Sequence, residues 1–486
     1  MITEVAPRRG RGNAPEPGGP TPTAPTMEIS ESSQVLLLDK IASRQATIGL
    51  IGLGYVGLPL AVAFAEAGFN VVGVDVSASR VATLDSGGSY VEDVPSERIM
   101  SLAAANGARS GAPLHRGTLR ASTDYDELRG TDAVIVCVPT PLTPDHRPDV
   151  SQIVSASDEI ASRLPGGSLV VLESTTYPGT TEELLLPRLA QGVNGQAEAG
   201  DRVVGRDFFL AFSPERIDPG RRDWNVRTTP KVIGGVTPAC LEVASALYRC
   251  AIDTVVPVST PRVAETVKLL ENTFRALNIG LANEMAIMCD RLGIDVWEVI
   301  DAAKTKPFGF MPFYPGPGLG GHCIPIDPQY LSWKLRTVNY HARLIQLSEE
   351  INAAMPDHVV GKVADALNDE GKALKGARIL ILGMAYKANV SDARESPSLE
   401  IARRLLKKGA CIEYHDPYVP QVLVGEILLK SMPLDEDLLQ ASDCIIVATA
   451  HDWYDWSSIV QRSRLVVDTR NATRGVSGPL ARVVRL

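Results

Sequence analysis

Features that would indicate a membrane, disulfide-rich or nucleic-acid-binding protein are missing from the sequence. No apolar run reaches the roughly 18–20 residues of a membrane-spanning helix, so we expect no membrane span. The 7 cysteines are scattered and include no C-x-x-C pair, which argues against a disulfide framework and favours a reducing, cytoplasmic location. A net charge of −9 without a dense Lys/Arg stripe argues against a nucleic-acid partner.

The chain of 486 residues is too long for one hydrophobic core, and its pattern changes along its length. Residues 1–34 are polar and rich in proline and glycine, which predicts a disordered tail. Over 35–240 and again over 373–486, short apolar strands alternate with helical patterns, which is typical of parallel sheets covered on both faces. Residues 241–372 contain a long helical segment, for which we expect a central, dimerising domain. We therefore predict an α/β protein with two Rossmann-like doubly wound domains joined by a long central helix and helical domain.

A glycine-rich turn follows the first strand of the 35–240 domain. In IGLGYVGL the glycines form G-x-G-x-x-G, whose backbone N–H groups and helix N-terminus suit a pyrophosphate. Asp75 ends the next strand, where its carboxylate would bind the adenosine ribose hydroxyls and repel a 2′-phosphate. We therefore predict NAD as the cofactor, with Arg80 leaving NADP as the alternative. The predicted contacts of the turn are Gly52, Gly54, Tyr55, Val56 and Gly57.

The 373–486 domain has a related turn, GMAYKAN, with Gly383, Ala385 and Lys387. It lacks the third glycine but places a lysine where a phosphate would lie. Taken alone, Lys387 would be interpreted as a solvated surface lysine. Two Rossmann-like domains facing each other instead indicate two nucleotides, one the cofactor and the other part of the substrate.

The long helix carries polar residues within an apolar stripe. Lys268 and Asn272, four residues apart, share one helical face. A buried lysine is costly unless it meets a partner. A surface ion pair between Glu265 and Lys268 is the alternative interpretation.

One cysteine stands directly after a glycine-rich run in FYPGPGLGGHCIPIDP, residues 313–328. A metal site is disfavoured because no second Cys/His pair stands at ligand spacing, and we predict no metal. A buried structural thiol is the other alternative. A loop thiol beside a cationic lysine would have a lowered pKa and act as a nucleophile, which is the role we predict for Cys323.

In this order, the motifs resemble those of the UDP-glucose/UDP-N-acetylmannosamine dehydrogenase family, over roughly residues 45–475. The cysteine loop and ENTFRALNI are most similar to the bacterial UDP-N-acetylglucosamine 6-dehydrogenase branch. The resemblance implies a four-electron oxidation of the sugar C6 alcohol to a carboxylate, in two NAD-dependent steps through a cysteine thiohemiacetal and thioester. It also implies a place in surface polysaccharide synthesis.

The resemblance assigns roles to residues of this sequence. Cys323 is the nucleophile, Lys268 stabilises oxyanions and Asn272 is its hydrogen-bonding neighbour. Asp327 orients water beside the thiol. In LESTTYPG and SPERIDPG, Thr176 helps to hold the catalytic water and Glu215 is the general base of thioester hydrolysis.

Further contacts follow from the same resemblance. Cofactor contacts are implied at Thr140 and, near the pyrophosphate, at Arg394. UDP-sugar contacts are implied at Arg216, Ile217, Arg275, Gly320, Lys387 and Arg470. A homodimer or higher homo-oligomer is implied because the active site of this family often takes a residue from a second subunit.

The alternatives to this function are oxidation of UDP-N-acetylmannosamine or UDP-glucose, release of an aldehyde with Cys323 as a bystander, and a non-catalytic UDP-sugar-binding regulator.

Overall fold

The first domain is an eight-stranded sheet covered by helices on both faces. In a computed structural model, the described residues are 32–103, 117–143, 145, 147–191, 202–217, 223–321, 323–478 and 480–486. The strands are β1 (Thr47–Ile51), β2 (Asn70–Val74), β3 (Thr118–Ser122), β4 (Ala133–Val136), β5 (Leu169–Leu172), β6 (Phe209–Phe212), β7 (Lys231–Gly235) and β8 (Val255–Val258). Their order is β3-β2-β1-β4-β5-β6-β7-β8, and neighbours are parallel except β6 and β7.

Alternate residues of these strands enter different hydrophobic cores, because successive side chains of a strand point to opposite faces. Ile135 packs in one core, whereas Val134 and Val136 pack in the other. The helices that cover the sheet are α1 (Ser33–Ala42), α2 (Gly57–Glu66), α3 (Ala78–Asp85), α4 (Ser96–Leu102), α5 (Ser151–Ala161), α6 (Leu186–Gln191) and α7 (Pro238–Arg249). Both faces are therefore buried, which explains why the strands are apolar along their whole length.

The central domain is built on long helices. They are α8 (Pro261–Leu292), α9 (Val296–Ala303), α10 (Asp327–Arg336) and α11 (Arg343–Asp369). The Thr260 side chain caps α8 by accepting a hydrogen bond from the Val263 N–H, and Pro261 stands in the first turn, as its sequence predicts. Helices α8 and α11 approach closely at Gly280, where a Cβ would lie 2.9 Å from Ser348 Oγ.

The third domain contains a five-stranded parallel sheet. Its strands are β9 (Arg378–Leu382), β10 (Cys411–His415), β13 (Cys444–Val447), β14 (Leu465–Asp468) and β15 (Arg482–Arg485), in the order β10-β9-β13-β14-β15. An antiparallel hairpin is formed by β11 (Gln421–Val424) and β12 (Ile427–Lys430), and the helices are α12 (Pro397–Lys407), α13 (Glu436–Ala441) and α14 (Trp456–Arg462). One face of this sheet shares a core with α8, α9 and α11, so the third domain packs directly on the central one.

The predicted α/β fold with its two sheets and central helix is confirmed, and its details differ in places. Residues 33 and 34 belong to α1 rather than to the predicted tail, of which residues 1–31 lie outside the described part of the chain. The predicted boundary at 240 falls inside α7, because β8 completes the first sheet as far as Val258. Strands β6 and β7 pair in antiparallel orientation, which the apolar pattern of the strands does not reveal.

Helix α8 also presents an exposed apolar stripe. Six exposed side chains follow one another at spacings of seven or four residues along it: Val263, Leu270, Phe274, Leu281, Met288 and Leu292. Among the described residues, no helix is long and apolar enough to cross a membrane.

Candidate active site

The glycine-rich turn forms an open cradle at the start of α2. Gly52 has φ +91°, and a Cβ there would lie 2.6 Å from the Cys137 carbonyl oxygen. A Cβ at Gly57 would lie 1.9 Å from the Gly52 carbonyl oxygen, so neither position admits a side chain. A Cβ at Gly54 would meet nothing within 4 Å. The turn therefore has the tight backbone and the free space that a pyrophosphate needs at a helix N-terminus.

Asp75 anchors this turn from the end of β2. Its carboxylate is buried and accepts hydrogen bonds from the Leu53 N–H at 2.8 Å and the Ser77 N–H at 2.9 Å. Arg80 Nη1 lies 3.3 Å from the same carboxylate, so this arginine pairs with Asp75 inside the site. A cavity of about 300 Å³ adjoins them, lined by Gly54, Tyr55, Ser79, Arg80, Thr83, Tyr90 and Val91. These residues fit an NAD adenosine moiety, and the cofactor would supply a hydride acceptor.

A buried cluster of polar groups lies where the first domain, α8 and the cysteine loop meet. Lys268 Nζ donates to Glu215 Oε2 at 2.9 Å, and both side chains are buried. One turn further along α8, the Asn272 amide donates to an oxygen of Asp327, the first residue of α10. The Asp327 N–H in turn donates to the Cys323 carbonyl oxygen at 2.8 Å. The structure thus brings together five of the residues that the sequence assigns to catalysis.

The charges of this cluster perturb one another. Burial raises the pKa of the Cys323 thiol to about 12, with Asp327 also raising it, and Lys268 only partly opposes this. The prediction of a lowered thiol pKa is therefore wrong, because loss of solvent outweighs the nearby cation. Burial likewise raises the pKa of Asp327 to about 6, against the opposing effects of Lys268 and Asn272. Burial lowers the pKa of Lys268, but the Glu215 and Asp327 carboxylates outweigh it and raise the pKa overall.

Two loops of the first domain, after β5 and after β6, each carry a buried hydroxyl group without a hydrogen-bond partner among the described residues. These are the hydroxyl groups of Thr176 and Ser213, respectively. A buried hydroxyl without a partner is costly, so these groups are expected to bind water or ligand. The predicted role of Thr176 remains a prediction that this geometry supports. Ser213 gave no signal in the sequence, because a serine after a strand is common.

Glu265 holds the loop that carries Thr176. Its carboxylate accepts hydrogen bonds from the Gly179 N–H at 2.5 Å and the Thr181 N–H at 2.9 Å. Since Lys268 pairs with Glu215 and both are buried, the alternative of a surface pair between Glu265 and Lys268 is excluded. Helix α8 therefore supplies Lys268 to the cluster and also fixes the loop after β5.

A second buried ion pair supports the strand ends below the cluster. Lys231, at the start of β7, pairs with Glu173, which directly follows β5. The Tyr248 hydroxyl of α7 donates to the other Glu173 oxygen at 2.5 Å. The sequence analysis missed this triad, because Glu173 lies 58 residues from Lys231 and 75 residues from Tyr248. It ties the end of β5, which leads to Thr176, to β7, which lies on the other side of β6 in the sheet.

The cysteine loop packs on the third domain. A Cβ at Gly320 would lie 2.8 Å from Pro397 Cδ and 2.9 Å from Tyr386 Cβ, so the absence of a side chain lets this loop pack closely on the third domain. The Gly321 N–H donates to the Arg394 carbonyl oxygen at 3.2 Å. A Cβ at Gly316 would lie 2.5 Å from Arg470 Nη1. The UDP-sugar contact implied at Gly320 remains a prediction.

The remaining predicted substrate contacts fall into different environments. Arg216 donates from Nη1 to the Pro230 carbonyl oxygen at 2.7 Å and from Nη2 to Glu271 at 2.5 Å, so its guanidinium fastens its own loop to α8. Ile217 is half-buried, and its N–H donates to Glu215. Arg275 is exposed, but its charge lowers the pKa of the Cys323 thiol, which places it beside the cluster.

The other predicted contacts, Arg470, Lys387 and Arg394, belong to the third domain. Arg470 donates from Nε to the Ala448 carbonyl oxygen at 2.9 Å, and burial lowers its pKa to about 10. Lys387 is half-buried in the loop after β9. Arg394 pairs with Asp392 at 2.6 Å and is close enough to Tyr55 of the glycine-rich turn for the two to interact electrostatically.

Thr140 is placed by a tyrosine of α10. Its carbonyl oxygen accepts a hydrogen bond from the fully buried Tyr330 hydroxyl at 2.5 Å, which joins the end of β4 to the helix that begins with Asp327. In the described part of the chain, no group of three His, Cys, Asp or Glu side chains is arranged to hold a metal.

An NAD-type cradle, a second nucleotide-binding sheet and a buried lysine–carboxylate–thiol cluster define a dehydrogenase acting on a nucleotide-linked substrate. The chain belongs to the UDP-glucose/GDP-mannose dehydrogenase family, as the resemblance predicts. The NAD binding domain matches residues 46–252, the central domain 262–354 and the UDP binding domain 380–475. The protein is thus an NAD-dependent dehydrogenase with a UDP-binding domain.

Relatives with two different names are similar to this chain. The UDP-N-acetyl-D-glucosamine 6-dehydrogenase of Pseudomonas aeruginosa is 37% identical over 406 residues, covering 83% of this chain and 90% of the relative. The UDP-N-acetyl-D-mannosamine dehydrogenase of Pyrococcus horikoshii is 34% identical over 432 residues, covering 87% and 95%. The solved structure of the UDP-D-ManNAc dehydrogenase from Pyrococcus horikoshii superposes with a TM-score of 0.78, at 32% identity over 90% of this chain and 98% of that one.

We expect the alkylation rate of Cys323 to report the charges around it. Because Asp327 raises and Lys268 lowers the pKa of the thiol, Asp327→Asn should speed alkylation by iodoacetamide at pH 8 and Lys268→Met should slow it. Each unit of pKa changes the thiolate fraction about tenfold. Mass spectrometry would follow the Cys323 peptide, with the exposed Cys411 as the internal reference. Equal rates in the three proteins would show that these charges do not act on the thiol.

Proposed function

We propose that the protein oxidises the C6 hydroxyl of UDP-N-acetyl-D-glucosamine to the uronic acid in two successive hydride transfers to NAD⁺. The observation that carries this proposal is the thiol of Cys323 within the cluster of Lys268, Glu215, Asp327 and Asn272. An enzyme that stops at the aldehyde needs no thiol. Oxidation of an aldehyde to an acid needs a tetrahedral carbon that still carries hydrogen, and a thiol adding to the aldehyde provides it.

Lys268 would contact the oxygen on the sugar C6 in both oxidation steps. Because the surrounding carboxylates raise its pKa, the lysine stays a cation and cannot serve as the base at neutral pH. Its ammonium would donate to the sugar O6 as negative charge develops there. The same contact would serve the alcohol and the thiohemiacetal, since both carry oxygen on the carbon that loses hydride.

Asp327 suits the transfer of protons. Its pKa of about 6 lies near neutrality, where a general base is most effective. With the Cys323 thiol at a pKa of about 12, the S–H proton would leave as the C–S bond forms, and the Asp327 carboxylate, whose charge acts on the thiol, would accept it. Asp327, Glu215 and Thr176 would then hold the water that attacks the thioester. That attack breaks the C–S bond, releases the acid and restores the thiol.

UDP would bind between the cysteine loop and the third domain. Arg470 packs against Gly316 of the loop, and Lys387 lies in the first turn of the third-domain sheet. Two cations there would complement a diphosphate.

The choice of N-acetylglucosamine rests on the similarity of the cysteine loop. UDP-N-acetyl-D-mannosamine is the second candidate, because relatives of that name are nearly as similar. We place this activity in the cytoplasm and in the supply of acidic sugars for surface polysaccharide.

The decisive test offers the purified protein UDP-N-acetyl-D-glucosamine, UDP-N-acetyl-D-mannosamine and UDP-glucose, with NADH followed by absorbance. We expect fastest turnover of the first, with two NADH formed for each sugar consumed. Cys323→Ser should form little acid, whereas Cys411→Ser, a change at an exposed cysteine of β10, should match the unaltered enzyme. One NADH per sugar, or normal acid formation by Cys323→Ser, would refute the thioester step, and no turnover of N-acetylglucosamine would refute the substrate.

We also propose that the exposed stripe of α8 pairs with the same stripe of a second copy, as spacings of seven and four residues suit helix pairing. Leu270 and Leu281 are 65% and 55% exposed, so charging both should yield a monomer. Light scattering after size exclusion would measure the mass of the Leu270→Glu/Leu281→Glu variant. Leu428→Glu, at a leucine 55% exposed on β12, is the matched control and should leave the mass unchanged. A dimer persisting in the double variant would contradict this interface.

A further inference from the structure

The loop that carries Lys387 is held from behind by a buried histidine. His451, in the segment after β13, is fully buried. The Asn389 N–H donates to its Nδ1 at 2.9 Å, and its Nε2 lies 3.1 Å from Asp416 Oδ2. His451, Asn389 and Asp416 lie outside the cluster around the Cys323 thiol, and no step of the proposed reaction uses His451 directly.

The partners of His451 fix its tautomer. A backbone N–H can only donate, so Nδ1 is the acceptor and carries no proton. The proton therefore resides on Nε2, which donates to Asp416. The same Asp416 oxygen accepts hydrogen bonds from the Met384 N–H at 2.7 Å and the Ala385 N–H at 3.0 Å. The histidine and aspartate thus tie residues 384 and 385 to residue 389, the two ends of the loop.

A second clamp closes the same loop on its outer side. Asn389 has φ +62° and donates from Nδ2 to Asp452 Oδ2 at 2.8 Å, while the Asp452 N–H donates to Asn389 Oδ1 at 2.9 Å. Between the two anchored ends lie Tyr386 and Lys387. The Tyr386 ring packs on Gly321 of the cysteine loop, where a Cβ would lie 2.8 Å from it. The orientation of this loop is thus coupled to the segment that carries Cys323.

The corresponding turn of the first domain is built differently. There Asp75 accepts the Leu53 N–H, as Asp416 accepts the Met384 N–H, but Gly54 leaves open space. In the third domain Ala385 stands after the turn glycine, fully buried, and its carbonyl oxygen accepts a hydrogen bond from Thr449 at 2.5 Å. The third-domain turn therefore lacks the open space in which the first-domain turn can hold a pyrophosphate. A ligand of the third domain would instead meet the loop from Tyr386 onwards.

We propose that His451 is a positioning residue for the UDP moiety: it holds the loop 384–389 so that Lys387 faces the diphosphate. This inference rests on the proposed function. Loss of the histidine would leave the chemistry at Cys323 intact and would weaken binding of the nucleotide, because Lys387 would have to be ordered as the ligand binds. NAD binding, which uses the other sheet, would be spared.

The test compares His451→Phe with the unaltered enzyme. Phenylalanine keeps a ring beside Tyr418 and Tyr454, whose centroids lie 5.0 and 5.8 Å from that of His451, and removes both hydrogen bonds. Calorimetry would measure binding of UDP, and steady-state kinetics the KM values for UDP-N-acetyl-D-glucosamine and NAD. We expect the UDP Kd and the sugar KM to rise about tenfold, with the NAD KM changed less than about twofold.

Further variants distinguish the possible outcomes. Asn389→Gly opens the outer clamp while allowing positive φ, and it should weaken UDP binding in the same direction. His358→Phe, at a half-buried histidine of α11, is the matched control and should bind UDP normally. Lys387→Met should weaken UDP binding at least as much as His451→Phe.

If Lys387→Met weakens UDP binding and His451→Phe does not, the inference fails and the proposed function stands. If the unaltered protein does not bind UDP, the proposed function itself fails. Equal rises in both KM values for His451→Phe, with a lowered melting temperature, would show a general structural role and would also overturn the inference.

Discussion

The ion pair of Lys268 and Glu215 is the constraint on which the arrangement of the domains depends. Both charges are buried, and burying either alone would be strongly unfavourable, so the end of β6 and the N-terminal part of α8 must stay in register. One turn further along α8, Asn272 fixes Asp327, and one turn earlier Glu265 fixes the loop after β5. One helix therefore positions groups contributed by the first sheet, by the cysteine loop and by α10.

Burial has a chemical consequence at this point. It raises the pKa of the Cys323 thiol to about 12 and that of the Asp327 carboxyl to about 6, so the proton would pass from sulfur to the carboxylate only as the C–S bond forms. A permanently ionised thiolate is not required, since the nucleophile would form as its proton leaves. The surrounding carboxylates raise the pKa of Lys268 and keep it cationic, and in the proposed reaction it would stabilise the oxyanions. In the proposed reaction, acid–base and electrostatic tasks would thus be divided among neighbouring residues by their environments.

Most of the fold and most residues of the candidate active site could be predicted from local sequence patterns. The glycine-rich turn, the apolar strands and the helix spacing of Lys268 and Asn272 are properties of short segments, and the structure keeps them. The thiol pKa was not predictable, because it depends on how much solvent the assembled domains exclude. The close packing at Gly320 and the partners of Arg216 were missed for a related reason. They are set by contacts with α12, the third-domain turn and Glu271, which are distant in sequence.

The central claim is that the sugar C6 reacts between the thiol and the nicotinamide, with its oxygen on Lys268. A crystal structure of the unaltered enzyme with UDP-N-acetyl-D-glucosamine and NADH, a pair that cannot react further, tests it most directly. The account predicts C6 within about 3.5 Å of Cys323 Sγ and of the nicotinamide C4, and O6 within hydrogen-bond distance of Lys268 Nζ. A sugar whose C6 lies away from the thiol, or whose O6 is held by other groups, would contradict it.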